Sequence, residues 1–168
     1  MAFASVDPAD GPRRDRGPTS PPVPAGPLAP AKRPLDVLVA HPEQSGRDVL
    51  YRLLDRCAGF TVVAVAGTEI AASDAVDRLR PAIVVIDDRM PNWALLARHA
   101  RVVLLTGETD ISRLGAILSG PASAYLTWNH FEPVDLLGAV RAVGDGLAWL
   151  CPVAASAAAA AMRGSELR

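Results

Sequence analysis

The chain has few cysteines and no long apolar run. Only two cysteines, Cys57 and Cys151, occur in 168 residues. They lie far apart and form neither a CxxC pair nor a metal-ligand spacing, which is typical of thiols in a reducing compartment. Every apolar run is interrupted by Asp, Arg or Gly before it is long enough to cross a bilayer. The first residues also lack the apolar core of a signal peptide, so we expect a cytoplasmic protein.

Strong net charge and the common enzyme motifs are lacking as well. The net charge of -1 argues against a general nucleic-acid-binding surface or an anionic-membrane surface. The sequence contains no Gly-rich phosphate loop, no nucleophile elbow and no HExxH motif. We therefore expect neither an enzyme nor direct binding of nucleic acid or membranes. Half of the residues are hydrophobic, which suffices for a packed core.

The composition divides the chain into three segments. More than half of the 15 prolines lie in the first 34 residues, and such a segment buries too little apolar area to offset its ordering entropy. Residues 1–33 are predicted to form a disordered arm, and residues 34–146 to form the folded domain. Residues 147–168 are predicted to be an alanine-rich C-terminal extension, a helix that packs through Leu147, Trp149 and Leu150.

Between residues 35 and 146, apolar runs alternate with helical patterns. The runs cover residues 35–40, 60–66, 82–86, 101–106 and 122–127, and a helical segment follows each one. Because the runs are continuously apolar, they favour a parallel sheet that is covered on both faces. We predict an α/β fold, a doubly wound (βα)5 sandwich with a five-stranded parallel sheet in the order 2-1-3-4-5.

The helical patterns also predict where helices begin and which face they bury. Ser45 is the candidate N-cap of the first helix, and Gly59 is its candidate stop. In the second helix, the predicted buried stripe consists of Ile70, Ala71, Val76 and Leu79. Pro133 is expected in the first turn of the fifth helix.

Polar residues stand where the predicted strands end. His41, Pro42 and Glu43 follow the first strand, and Asp87 and Asp88 follow the third. In an open parallel sheet the ligand crevice lies beyond the carboxyl ends of the strands, at the topological switch point. With the strand order 2-1-3-4-5, Asp87 faces that crevice, with Thr106 and Trp128 alongside.

On these residues the sequence resembles the receiver domain of bacterial response regulators, which has a flavodoxin-like fold. The resemblance covers residues 35–152, is greatest for the type that precedes a NarL/LuxR-like DNA-binding domain, and is most specific in "IDDRMP" and "LLTG". It implies a phosphorelay role in a two-component system, with Asp87 as the phosphoacceptor. It also implies that Thr106 and Tyr125 are the switch residues.

The same resemblance shows where this chain departs from the family. The acidic pair that holds Mg²⁺ in receivers aligns with His41 and Pro42, which are poor ligands for a hard cation. The family's phosphate-binding lysine aligns with Trp128, an uncharged ring. The segment after Pro91 is about ten residues shorter than usual in the family, which predicts a reduced third helix.

These losses predict a degenerate receiver, or pseudo-receiver, without efficient Mg²⁺-dependent phosphorylation. Phosphoryl transfer depends on neutralising the charge of the phosphoryl oxygens, and both the metal cradle and the lysine are missing. No cofactor and no metal are expected. Glu43 and Asp87 are weak ligand candidates for Mg²⁺, and only if the chain is phosphorylated. A transition-metal site of His41, Glu43, Asp87 and Asp88 is the remaining metal hypothesis.

Three functions remain open at this stage. The first is a regulatory protein-interaction module in signal transduction or transcription control, governed by a partner or a small ligand. The second is a phosphorylatable stand-alone response regulator in which Glu43 replaces the acidic pair. The third is a truncated NarL/LuxR-type DNA-binding regulator without its helix-turn-helix output domain. Expected partners are proteins: a second copy of the chain, a histidine kinase or another response regulator.

The resemblance also indicates a face for dimerisation. In receivers this face is built from the fourth helix, the fifth strand and the fifth helix. In this chain it would comprise Leu114, Ile117, Leu118, Leu137, Val140 and Val143, or their exposed neighbours.

Overall fold

A computed structural model describes residues 33–165 of the protein. All of the predicted disordered arm except Arg33 lies outside these residues, so that prediction stays untested. The strands are β1 Leu35–Ala40, β2 Phe60–Ala66, β3 Ile83–Asp87, β4 Arg101–Thr106, β5 Ala124–Thr127 and β6 Trp149–Leu150. The helices are α1 Gln44–Asp55, α2 Glu69–Leu79, α3 Trp93–Leu96, α4 Ile111–Leu118, α5 Pro133–Gly144 and α6 Pro152–Ser165.

The strands form one parallel sheet in the order β2-β1-β3-β4-β5-β6. The predicted α/β class, the parallel sheet and the order of the first five strands are confirmed. The prediction of five strands is wrong by one, because β6 pairs with Ala124 and Tyr125 of β5. A strand of two residues is too short to produce a hydrophobic period in the sequence.

The core lies on both faces of the central strands. Residues 37–40 of β1, 83–87 of β3 and 102–106 of β4 are all buried. This explains the continuous apolar runs, since helices cover the sheet on both sides. Among the described residues, no helix combines the length and apolar character needed to span a membrane.

The sequence placed the first two helices correctly but not all of their details. Glu43, not Ser45, is the N-cap of α1, and the ring of His41 accepts a hydrogen bond from the Glu43 backbone N–H. The helix also ends at Asp55, before Gly59. In α2, three residues of the predicted stripe, Ile70, Ala71 and Leu79, are exposed, and only Val76 is buried. The buried face consists of Ala72, Ala75 and Val76. Two of these three buried residues are alanines, which a search for large apolar residues misses.

Two smaller predictions about helices are confirmed. The third helix is reduced to the four residues Trp93–Leu96. Pro133 is the first residue of α5. A backbone N–H at this position has no intrahelical acceptor, so the missing N–H of proline costs no hydrogen bond.

The C-terminal segment packs on the sheet edge and on α4. A Cβ atom at Gly138 of α5 would lie 3.1 Å from the Trp149 ring, so the ring packs closely against the glycine. Ala154 and Ala157 of α6 are fully buried, and α6 contacts α4. Leu147 and Leu150 are exposed, so the predicted packing through these two leucines is wrong.

This packing also bears on the predicted dimerisation face. Leu114, Val140 and Val143 are fully buried within the chain, so none of the three is available to a partner. The contact between α4 and α6 shows that the chain's own C-terminal helix covers part of α4.

The alanine packing of α6 yields a test with a matched control. Ala157→Glu places a charge in the α4–α6 contact, so we expect α6 to detach and its amides to exchange with solvent at least about tenfold faster. Ala155→Glu, on the exposed side of the same helix, should leave exchange unchanged. Hydrogen exchange read by mass spectrometry checks both variants, and equal protection of α6 in the two would contradict the packing.

Candidate functional site

Four strand ends meet at the carboxyl edge of the sheet. His41 follows β1, Asp87 ends β3, Thr106 ends β4 and Trp128 follows β5. Since β1 and β3 are neighbours in the sheet and lead to opposite sides of it, this is the switch point predicted from the sequence. The structure brings His41, Asp87 and Trp128 into direct contact.

Asp87 is fully buried, and both of its carboxylate oxygens are occupied. Oδ1 accepts hydrogen bonds from the backbone N–H of Arg89 at 3.1 Å and from its Nε at 2.7 Å. Oδ2 accepts the indole N–H of Trp128 at 2.8 Å, and lies 3.3 Å from Nε2 of His41. The carboxylate is thus enclosed by the protein's own donors, and one of them carries a positive charge.

Arg89 connects Asp87 to Glu43. Its Nη1 lies 2.5 Å from Oε1 of Glu43, and its Nη2 lies 3.1 Å from Nε2 of His41. No role for Arg89 was predicted from the sequence. A signal was present, since Arg89 is the one cation directly after the aspartate pair, but a side chain of this length reaches several partners and sequence does not choose among them.

His41 is held between the first turn of α1 and Asp87. Its Nδ1 binds the backbone of Glu43 at 3.0 Å, and its ring meets the edge of Trp128 at a centroid distance of 5.6 Å. A Cβ atom at Gly46 would lie 2.2 Å from the His41 ring. The glycine therefore makes the space that the imidazole occupies.

The charges of Asp87 and Arg89 stabilise each other. Burial raises the pKa of Asp87, but the hydrogen bonds from Arg89 and Trp128 outweigh it and bring the pKa below the ordinary value of 3.8. The hydrogen bond to Asp87 likewise raises the pKa of Arg89, with Glu43 adding to the effect. Asp87 is therefore ionised at neutral pH and paired with an internal cation.

Asp88 has a different environment from Asp87. It accepts a hydrogen bond from the hydroxyl of Thr106, whose oxygen in turn accepts the backbone N–H of Glu108 at 3.0 Å. Burial raises the pKa of Asp88, the repulsion of Asp87 and Glu108 adds to this effect, and the Thr106 bond offsets only part of it. From the sequence, Asp88 had a role only in the transition-metal hypothesis, and Thr106 was expected beside Asp87. The hydroxyl of Thr106 instead donates its hydrogen bond to Asp88.

The other predicted switch residue, Tyr125, lies in the interior. It is only 5% exposed, and its hydroxyl donates to the backbone oxygen of Gly120 at 2.6 Å. This contact ties β5 to the end of α4, and Tyr125 does not line the crevice.

The donor set around Asp87 does not match the preferences of Mg²⁺. That ion demands octahedral coordination by oxygen, in proteins through carboxylates and retained waters. Here the guanidinium of Arg89 stands between the carboxylates of Asp87 and Glu43, and His41 and Pro42 follow β1. Within residues 33–165, no group of three or more His, Cys, Asp or Glu side chains is arranged to hold a metal ion.

A cleft of about 680 Å³ opens above these residues. Its lining comprises His41, Glu43, Ser45, Gly46, Val49, Asp88, Arg89, Gly107, Glu108, Ile117, Trp128 and Asn129. Asp87 is not among them, because Arg89, His41 and Trp128 cover it. Of the two adjacent aspartates, Asp88 is the one that lines the cleft.

The pairing of Asp87 predicts a loss of stability when its charge is removed. Asp87→Asn loses the charge-assisted bonds to Arg89, so we expect the free energy of unfolding at pH 7 to fall by about 2 kcal/mol. A carboxyl with a lowered pKa stabilises the fold above its unfolded pKa, and that contribution is lost as pH falls through the folded pKa. The difference between wild type and variant should therefore vanish in acid, below the ordinary value of 3.8. Urea titrations across pH measure it.

Asp88→Asn is the matched control at the adjacent position. Because the pKa of Asp88 is raised, its ionised form is disfavoured in the fold, and wild type loses stability as pH rises through that pKa. Relative to wild type, Asp88→Asn should therefore gain stability as the pH rises. Equal pH profiles for the two variants would contradict the separate environments of Asp87 and Asp88.

The contact between Gly46 and His41 predicts an unusual response to alanine. Gly46→Ala introduces a Cβ that collides with the imidazole, so we expect a loss of about 1–3 kcal/mol. Gly115→Ala in α4 meets only an ordinary contact of 3.9 Å, so helix propensity should stabilise it by up to about 1 kcal/mol. Thermal unfolding of both variants measures the effect, and stabilisation by Gly46→Ala would show that His41 is not held there.

Neither a protein-family model nor a curated protein matches this sequence. Solved structures of receiver domains do match. The isolated receiver domain of RcsB from Salmonella enterica serovar Typhimurium is 17% identical, with a TM-score of 0.66, and the match covers 74% of this chain and 99% of that one.

Two further matches come from other bacteria. A LuxR-family two-component response regulator from Aurantimonas sp. SI85-9A1 is 24% identical with a TM-score of 0.67, over 75% of this chain and 96% of that one. The signal receiver domain of NarL from Mycobacterium tuberculosis is 21% identical with a TM-score of 0.62, over 68% and 98% of the two chains. The chain therefore has the flavodoxin-like fold of response-regulator receiver domains.

Proposed function

We propose that this chain is a regulatory signalling module with a receiver fold that works without Mg²⁺-dependent phosphorylation. Its output would be set by binding of a protein partner or a small ligand. The observation that carries the proposal is the saturation of the Asp87 carboxylate by Arg89, Trp128 and His41.

The chemistry of phosphoryl transfer supports this proposal. To accept a phosphoryl group, a carboxylate oxygen must reach the phosphorus, and cations must neutralise the charge that develops on the transferred group. Asp87 is fully buried, and the Arg89 cation already neutralises it. For Asp87 to attack a phosphorus atom, its contacts with Arg89 and Trp128 would both have to break.

The environment of Glu43 disfavours the alternative of a phosphorylatable regulator. In that alternative Glu43 supplies the acidic metal ligand that His41 and Pro42 lack. Its carboxylate instead lies 2.5 Å from the Arg89 guanidinium, which is itself bound to Asp87. A metal ion would have to displace this cation, and like charges oppose such an exchange.

The expected partners follow from the receiver fold. RcsB, the source of several matching structures, has been solved in complex with DNA. For this chain we propose protein partners, such as a second copy or another two-component protein, and no direct contact with DNA from residues 33–165. The net charge of -1 is consistent with this choice.

The test is incubation of the 168-residue chain with Mg²⁺ and acetyl phosphate, followed by intact-mass measurement. We expect no stoichiometric phosphate adduct, because Asp87 has no accessible oxygen. A phosphorylatable receiver treated in parallel shows that the reagent is active, and Asp87→Ala identifies adducts that form elsewhere. Rapid, stoichiometric addition that is lost in Asp87→Ala would overturn the proposal.

A further inference from the structure

We infer that the cleft above Asp87 binds a small organic cation with an apolar ring, its ammonium group beside Asp88 and its ring against Trp128. This inference deepens the proposed function. It rests on that proposal, because it requires that the cleft does not serve phosphorylation of Asp87.

The lining of the cleft is acidic. Glu43, Asp88 and Glu108 contribute three carboxylates, and Arg89 is the only lysine or arginine among the residues that line it. Arg89 pairs with Asp87 and Glu43, and Arg113 lies 3.7 Å from Glu108, so among the described residues Asp88 is the lining carboxylate that has no arginine partner. The potential inside the cleft therefore attracts a cation, and low-dielectric walls strengthen this attraction.

Asp88 offers the cation a specific contact. Its Oδ2 accepts the hydroxyl of Thr106, while no side chain or backbone group in residues 33–165 donates a hydrogen bond to Oδ1. Asp88 lines the cleft, and its carboxylate is partly withdrawn from water. An ammonium group at Oδ1 would form a charge-assisted hydrogen bond, which is about twice as strong as a neutral one.

The remaining wall is apolar. Trp128, Ile117 and Val49 all line the cleft, and Val49 is 51% exposed although it is a branched aliphatic side chain. An indole ring in the wall provides a surface for stacking and for cation–π attraction. A volume of about 680 Å³ lies within the range of small-molecule sites.

A metal ion fits this cleft less well than an organic cation. Metal ions need several ligands converging on one point, and no group of three such side chains exists among the described residues. An organic cation needs one carboxylate for its charge and an apolar surface for its body. Asp88 and Trp128, which both line the cleft, supply these two features.

The test is isothermal titration calorimetry of the full-length protein at low salt with tryptamine as the probe. Indole-3-propionate, which carries the same ring with a negative charge, is the matched ligand. We expect saturable binding of tryptamine that weakens with added salt, and no binding of indole-3-propionate. Equal binding of both ligands, or no binding of tryptamine, would overturn the inference.

Protein variants locate the site. Asp88→Asn should weaken tryptamine binding by about tenfold, because the charge-assisted contact is lost. Val49→Lys, which places a cation on the exposed wall, should abolish binding even if Asp88→Asn perturbs the fold. Asp74→Asn, on the exposed surface of α2, is the control and should bind like wild type. Unchanged affinity in both Asp88→Asn and Val49→Lys would place the ligand elsewhere and refute the assignment.

The outcomes separate this inference from the proposed function. If tryptamine does not bind while Asp87 also stays unphosphorylated with acetyl phosphate, the cation site is wrong and the proposed function stands. Binding of an arginine-rich peptide without binding of tryptamine would assign the cleft to a protein partner and refute the small-cation inference.

Discussion

The ion pair between Asp87 and Arg89 is the interaction on which the carboxyl edge of the sheet depends. A buried carboxylate without partners costs several kcal/mol, so Asp87 is compatible with this fold only because donors surround it. The Arg89 side chain provides the charge, at 2.7 Å from Oδ1, and Trp128 provides the second donor at 2.8 Å from Oδ2. The same contacts that make Asp87 compatible with burial are the ones on which the proposed lack of phosphorylation rests.

The surrounding structure is arranged around this pair. His41 fills the space between Asp87 and α1, which requires a glycine at position 46. Glu43 binds the far side of the Arg89 guanidinium and is also the residue that precedes α1. The result is a covered, neutralised Asp87 below and an acidic Asp88 above, so that two adjacent aspartates have opposite environments. Asp88 lines the cleft and Asp87 does not, so the proposed ligand site and the expected phosphoacceptor are different residues.

Much of the fold was predictable from the sequence, because its signals are long and regular. Five continuous apolar runs alternating with helical patterns indicate a parallel sheet, and the structure has those strands in the predicted order. The features that sequence reasoning missed depend on tertiary contacts. β6 is too short to have a period, and α2 and α6 pack through alanines rather than through large apolar residues. The same holds for the site. The positions of His41, Asp87 and Trp128 could be predicted from the ends of the strands, whereas the contacts of Arg89 depend on the conformation of a long side chain.

The most direct measurement of the central claim is the titration of the Asp87 carboxyl carbon by NMR, with and without Mg²⁺. The account predicts a pKa below the ordinary value of 3.8 and a resonance that millimolar Mg²⁺ does not shift, because Arg89 already occupies the position of the cation. A pKa at or above the ordinary value, or a clear shift of this resonance on adding Mg²⁺, would contradict it.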